Sequence, residues 1–267
     1  MSTTVTADEI LTQAAPWLTP VTPERPGGER ADDDERHFAV TGEIGKLESP
    51  AAWGGPNWRA ILRSGGELLQ ERSKDLLIAN YMAYAMYQQD GVRGLTRGVA
   101  LVTGLVERFW ETMFPEVKRV RGRANAVAWL IARAAEALSR YKPAPSDGPA
   151  LGELVVVLER LQSSSRERFG NAVPSFRALF DEIDRRRVEL EATSAREREA
   201  DEIGAVLVRA AHAERRTSSA NPLAYRLMRA GLYTFVTDAL ETDAAGRTRV
   251  PPPPSALFDP TASLTRA

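Results

Sequence analysis

Apolar residues recur every third or fourth position through almost the whole chain, and no sustained apolar–polar alternation interrupts them. That period matches the α-helix and not the two-residue repeat of a strand, so the sequence predicts an all-α protein. Leu76, Leu77, Asn80, Tyr81, Tyr84 and Tyr87 share one face, and Gly91 closes the segment as a residue beyond a helix C-cap does. Val127, Leu130, Ile131, Ala134, Leu138 and Tyr141 form another such face. Helix breakers fall between the periodic stretches: Pro16, residues 19–30, residues 49–57, Pro115, residues 142–149, Pro174 and residues 218–222. About eight helices result.

Start signals accompany them. Thr6 and Glu9 have the spacing of a capping box, Asn57 can cap the helix carrying Trp58, and Ser73 stands where the cap of the Leu76 helix is expected. Asp32, Asp33, Asp34 and Glu35 load the start of a further helix, where negative charge complements the dipole. Gly94 and Gly98 lie four apart and offer a place for another helix to come close. Trp58, Leu76, Tyr81, Phe109, Trp110, Trp129 and Leu130 are the expected core.

The domain plan follows the breakers and the charge. Residues 1–30 hold a helix and a Pro/Gly-rich connector, and residues 31–187 an N-terminal multi-helix bundle. Residues 188–202 form a charged helical linker almost without an apolar face, with pairs such as Arg198 and Glu202 four apart. Residues 203–250 begin a short second helical unit, and residues 251–267 make a proline-rich tail. A chain of 267 residues, 43% hydrophobic, can build a substantial core. Its 35 basic residues against 36 acidic ones lack the basic excess that nucleic-acid binding needs. The most apolar run, Val99 to Val106, is too short to insert across a membrane. With no secretory signal in view, a cytoplasmic protein is expected.

Site chemistry is sparse. Cysteine is absent, which excludes disulfides and thiol catalysis. His37 and His212 lie far apart, with no His or Cys at ligand spacing, and read as surface residues. Phosphate-binding loops and nucleophile elbows are missing. Ser73, Lys74 and Asp75 raise the question of a reactive Ser-Lys pair. Adjacent side chains at a helix start do not face one another, so these residues read as a cap and first turn. No catalytic, cofactor or metal residue is therefore expected, and the chain reads as a non-enzymatic protein whose surfaces bind other proteins. Arg119, Arg121 and Arg123, in the one local basic cluster, are the candidates for partner contact.

The order of motifs carries more. "TPVTPERPGGE", "GEIGKLESP", "NWRAILRSGGELLQERSKDLLIANYMAYAM", "GLTRGVALVTGLVERFWETMFPE" and "RGRANAVAWL" follow one another in one continuous series. The R-S-K-D-L step, the F-W-x-x-x-F-P-E cluster and the R-x-N-A-x-x-W-L helix together resemble the N-terminal domain of the ImpA/TssA family of type VI secretion components. The resemblance covers roughly residues 16–140 and resumes over 220–254, at the start of the family's middle domain. It marks Arg72, Ser73, Lys74, Asp75, Trp110, Pro115 and Trp129 as structural motif residues. It implies a cytoplasmic assembly factor without cofactor, engaging baseplate and sheath-tube proteins, and it admits a homo-oligomer. The family's ring-forming part lies beyond the proline run, so ring assembly through it is not expected of these residues. Two other readings stay open: a helical-repeat scaffold binding a peptide in a groove lined by Tyr81, Tyr84 and Tyr87, and an enzyme with a deep polar pocket holding Ser73 and Lys74.

Overall fold

A computed structural model describes residues 5–48 and 54–234. Among these residues there are eight α-helices and no strand. They are α1 (Ala7–Thr12), α2 (Glu35–Gly45), α3 (Trp58–Glu71), α4 (Leu76–Arg108), α5 (Val120–Ser139), α6 (Gly148–Phe169), α7 (Arg177–Thr217) and α8 (Pro222–Leu232). The chain divides into two compact units between Leu190 and Glu191. The charged stretch 188–202 is helical and lies within α7. The tail 251–267 and the end of the 203–250 unit fall outside the described residues.

Caps start most helices of the first unit. Thr6 and Glu9 form the reciprocal box on α1, with Thr6 N donating to Glu9 Oε2 at 2.7 Å. Asp34 caps α2 by accepting from Arg36 N at 2.9 Å, and Asn57 caps α3 through Ala60 N at 3.1 Å. The cap of α4 is Asp75, not Ser73, for the reason given in the next subsection.

The centre of the first unit is α4, which packs against α1, α3, α5 and α6. Its second half buries Leu95, Val99, Ala100, Leu101, Val102, Leu105 and Val106, which together encircle the helix. An apolar helix of that kind is stable only when neighbours cover every side. The break at Gly91, which has φ 58°, turns the second half back along the first. Gly98 then meets Ala83, where an added Cβ would stand 2.4 Å from the Ala83 Cα. The helix expected to approach Gly94 and Gly98 is thus the first half of α4 itself.

Tyr81, Tyr84 and Tyr87 do not line a groove. Tyr81 meets Trp129 of α5 edge-on at 4.7 Å between ring centroids, and Tyr84 meets Trp58 of α3 at 5.6 Å. Tyr87 stacks on Tyr84 at 6.2 Å. These rings join α3, α4 and α5, and such pairs add roughly 0.5–1.5 kcal/mol each beyond the area they bury. Of the expected core, Leu76, Phe109, Trp110 and Leu130 are buried, while Trp58, Tyr81 and Trp129 are half-buried against it.

In the second unit the latter part of α7 meets α8. Gly204 and Gly231 face one another at close range, and Ala211 and Ala224 are buried. Asn221 caps α8 through Leu223 N at 2.9 Å.

Candidate functional site

Three segments distant in sequence cross at the start of α4. Lys74 N donates to Gly27 O at 2.8 Å, and Glu29 N donates to Arg72 O at 2.9 Å. On the other side Phe114 N donates to Lys74 O at 2.9 Å, and Leu76 N donates to Phe114 O at 2.8 Å. Residues 72–76 are thereby held between the 27–29 loop and the 114–115 loop, as the middle rung of a short extended ladder. Gly28 is required there: its φ is +74°, and an added Cβ would stand 2.1 Å from Arg72 O.

This ladder overturns the expected cap. Ser73 N closes the end of α3 on Leu68 O at 2.9 Å, and the backbone bonds of Lys74 go to the 27–29 and 114–115 loops, so the next helix begins only after them. Asp75 Oδ1 accepts from Leu77 N at 2.8 Å and Ile78 N at 3.1 Å. Ser73 Oγ is buried with no hydrogen-bond partner.

Lys74 is fully buried without a carboxylate partner. Its ammonium donates to Trp17 O at 3.0 Å and to Leu69 O, and lies 5.5 Å from the Phe109 ring centroid. Burial pushes its pKa down to about 8. Arg72 reaches outward instead and pairs with Glu29 at 2.7 Å.

Arg123 is also fully buried. Its three nitrogens donate to Pro115 O at 2.6 Å, Trp110 O at 2.6 Å and Met113 O at 2.7 Å. The guanidinium sits 4.5 Å from the Trp110 ring centroid, and Trp110 packs edge-on to Phe169 at 5.0 Å. The expectation of a surface role for Arg123 is therefore corrected. The α5 face that carries it turns inward over the 109–115 loop, where it supplies donors to the carbonyls of Trp110, Met113 and Pro115. Arg119 and Arg121 remain exposed. Ser73 and Lys74 form no pocket: both side chains are enclosed by the core.

Beside the ladder lies a cleft of about 230 Å³, bordered by Arg30, Asp32, His37, Asp75, Phe114, Pro115, Glu116 and Arg119. Asp32, His37 and Asp75 bring one ligand-type atom each to within 4.8 Å of one another. The Arg30 guanidinium holds the Asp32 carboxyl below its usual range, and burial pushes the Asp75 carboxyl up. His37 Nδ1 is buried with no hydrogen-bond partner. His37 is thus half-buried, not the free surface residue the sequence suggested. Linear spacing hides this meeting, because Asp75 arrives from another segment only once the ladder has formed.

The segments that build the ladder are also those of a known family. Residues 18–132 match the family described as ImpA, N-terminal, type VI secretion system. Over that span the chain is similar to the ImpA/TssA family. In this ImpA domain Gly27, Lys74, Pro115 and Arg123 all lie inside the matched span and all take part in the crossing. The fold agrees with a solved structure, the N-terminal domain including the conserved ImpA_N region of the TssA component of the type VI secretion system from Burkholderia cenocepacia. That structure superposes with a TM-score of 0.58 at 23% identity, over 67% of this chain and 92% of its own. No curated protein matches the chain. The ImpA domain is the part of the chain to which a type VI secretion role attaches, and among the described residues no helix is long and apolar enough to cross a membrane.

Proposed function

We propose that the chain is a non-enzymatic assembly component of the type VI secretion system, an adaptor whose ImpA domain docks baseplate or sheath-tube proteins during tail assembly in the cytoplasm. The observation that carries this reading is the use of the motif side chains. Lys74, Asp75, Trp110 and Arg123 are turned inward and spent on backbone groups and rings of the same domain. Residues committed in that way hold a shape and leave recognition to the surface they support. Arg119 and Arg121 stand exposed at the edge of the same crossing and supply positive charge for a partner. The groove reading is disfavoured by the packing of Tyr81, Tyr84 and Tyr87 against α3 and α5.

The test is binding of the purified chain to baseplate and sheath-tube proteins of the same genome, one at a time, by interferometry. Binding to one of them, weakened by Arg119→Glu with Arg121→Glu and weakened further at high salt, supports the proposal. Failure to bind any of them overturns the adaptor role. Light scattering after size exclusion, in the same preparation, reads whether the chain self-associates.

A further inference from the structure

We propose that Asp32, His37 and Asp75 form a site for one divalent first-row transition-metal ion, of the zinc or cobalt kind, in the cleft beside the ladder. The three residues reach it from different places: the loop before α2, the first turn of α2, and the cap of α4. Their donor atoms lie within 4.8 Å of one another. Metal–ligand bonds of about 2.0–2.2 Å draw such donors roughly 1 Å closer, which side-chain torsions can supply.

Two further observations point to a ligand. His37 Nδ1 is buried and finds no hydrogen-bond partner, a state that proteins rarely leave unexplained. Asp75 is only 4% exposed, yet its two capping bonds both use Oδ1, and the residue borders the cleft. Arg30 holds Asp32 in place by bonding its Oδ2. One imidazole with two carboxylates suits a borderline ion, and offers too few oxygens for calcium. Arg30 and Arg119 also border the cleft and oppose a cation there. Glu116, with its carboxylate 4.0 Å from Arg119, offsets one of them. A bound ion would tie α2 to the start of α4, adding a third tie to the two the ladder makes.

The experiment is thermal unfolding of the full chain with and without ZnCl₂, followed by cobalt absorbance titration, on wild type, Asp75→Asn, His37→Asn and His212→Ala. The expected result is a rise in Tm of roughly 5–10 °C at a hundredfold excess over Kd. Asp75→Asn keeps the metal-free Tm, because Asn caps as well as Asp. Both it and His37→Asn should lose metal affinity by more than the roughly 10–100-fold that loss of an outer-shell partner costs. His37→Asn decides the matter alone if Asp75→Asn alters the metal-free Tm. His212→Ala should respond as wild type does. No rise in wild type, a rise that survives in His37→Asn, a rise abolished by His212→Ala, or an equal rise with MgCl₂ would each overturn the site.

Discussion

The helices α4 and α7 are the two longest among the described residues, and they are stable for opposite reasons. Across its 33 residues α4 buries nearly every side chain of its second half, and its start is tied into a three-segment ladder. The 41 residues of α7 carry a dense mixture of Arg and Glu, with Val188, Ile203 and Val206 exposed. The first helix is held by its surroundings, where packing outweighs local preference. The second relies on propensity and on exposed pairs such as Arg177 and Asp181, 3.5 Å apart, which are worth a few tenths of a kcal/mol each. Perturbation should therefore be expensive around α4 and cheap along the charged part of α7.

The largest expected effect is at Arg123. Arg123→Ala strands the carbonyls of Trp110, Met113 and Pro115 and opens a cavity beneath the Trp110 ring. It should cost about 3–4 kcal/mol in urea unfolding. A loss below about 1 kcal/mol would mean the loop is held by other contacts.

Lys74→Met comes next, at roughly 1–2 kcal/mol near neutral pH, because Trp17 O and Leu69 O lose their donor. This change also carries a pH signature. The folded pKa of Lys74 is about 8 against an ordinary 10.5, so the folded state releases its proton first as pH rises. Between those values the unfolded chain binds more protons, and the contribution of Lys74 to stability grows with pH. The gap between wild type and Lys74→Met should widen by about 1–3 kcal/mol from pH 8 to 10.5. A gap that stays flat would show an ammonium better solvated than its burial implies.

The contrast between the two helices was only half legible in the sequence. Helical periodicity marked α4 and α5, and charge density marked residues 188–202, because both are local properties. The ladder was not legible. It joins Gly27, Lys74 and Phe114, and nothing in any one of those segments announces the other two. The placement of Arg123 was missed for the same reason: a cation at the start of an amphipathic helix normally faces water, and only the carbonyls of Trp110, Met113 and Pro115 turn it inward. His37 looked isolated because its neighbour Asp75 arrives through the fold and not through spacing. Ser73 looked like a cap because the sequence shows where a helix can start but not which residue the ladder claims first.

Ser73→Ala sharpens that last point and carries a smaller effect. A lost N-cap would cost about 1 kcal/mol. Ser73 Oγ has no partner to lose, so stability should change by less than about 0.5 kcal/mol. A loss near 1 kcal/mol would restore the capping role. The smallest effect belongs to α7, where Arg198→Ala should leave the unfolding curve within error.

Native-state hydrogen exchange compares the two regions in one experiment, and it tests most directly the claim that the ladder is the structural anchor of the ImpA domain. The amides of Glu29, Lys74, Leu76 and Phe114 each donate to a carbonyl of another segment. They should exchange only with global unfolding of the first unit, while amides over 192–200 exchange through local opening, orders of magnitude faster. Equal protection in the two regions, or faster exchange at the ladder, would contradict the account.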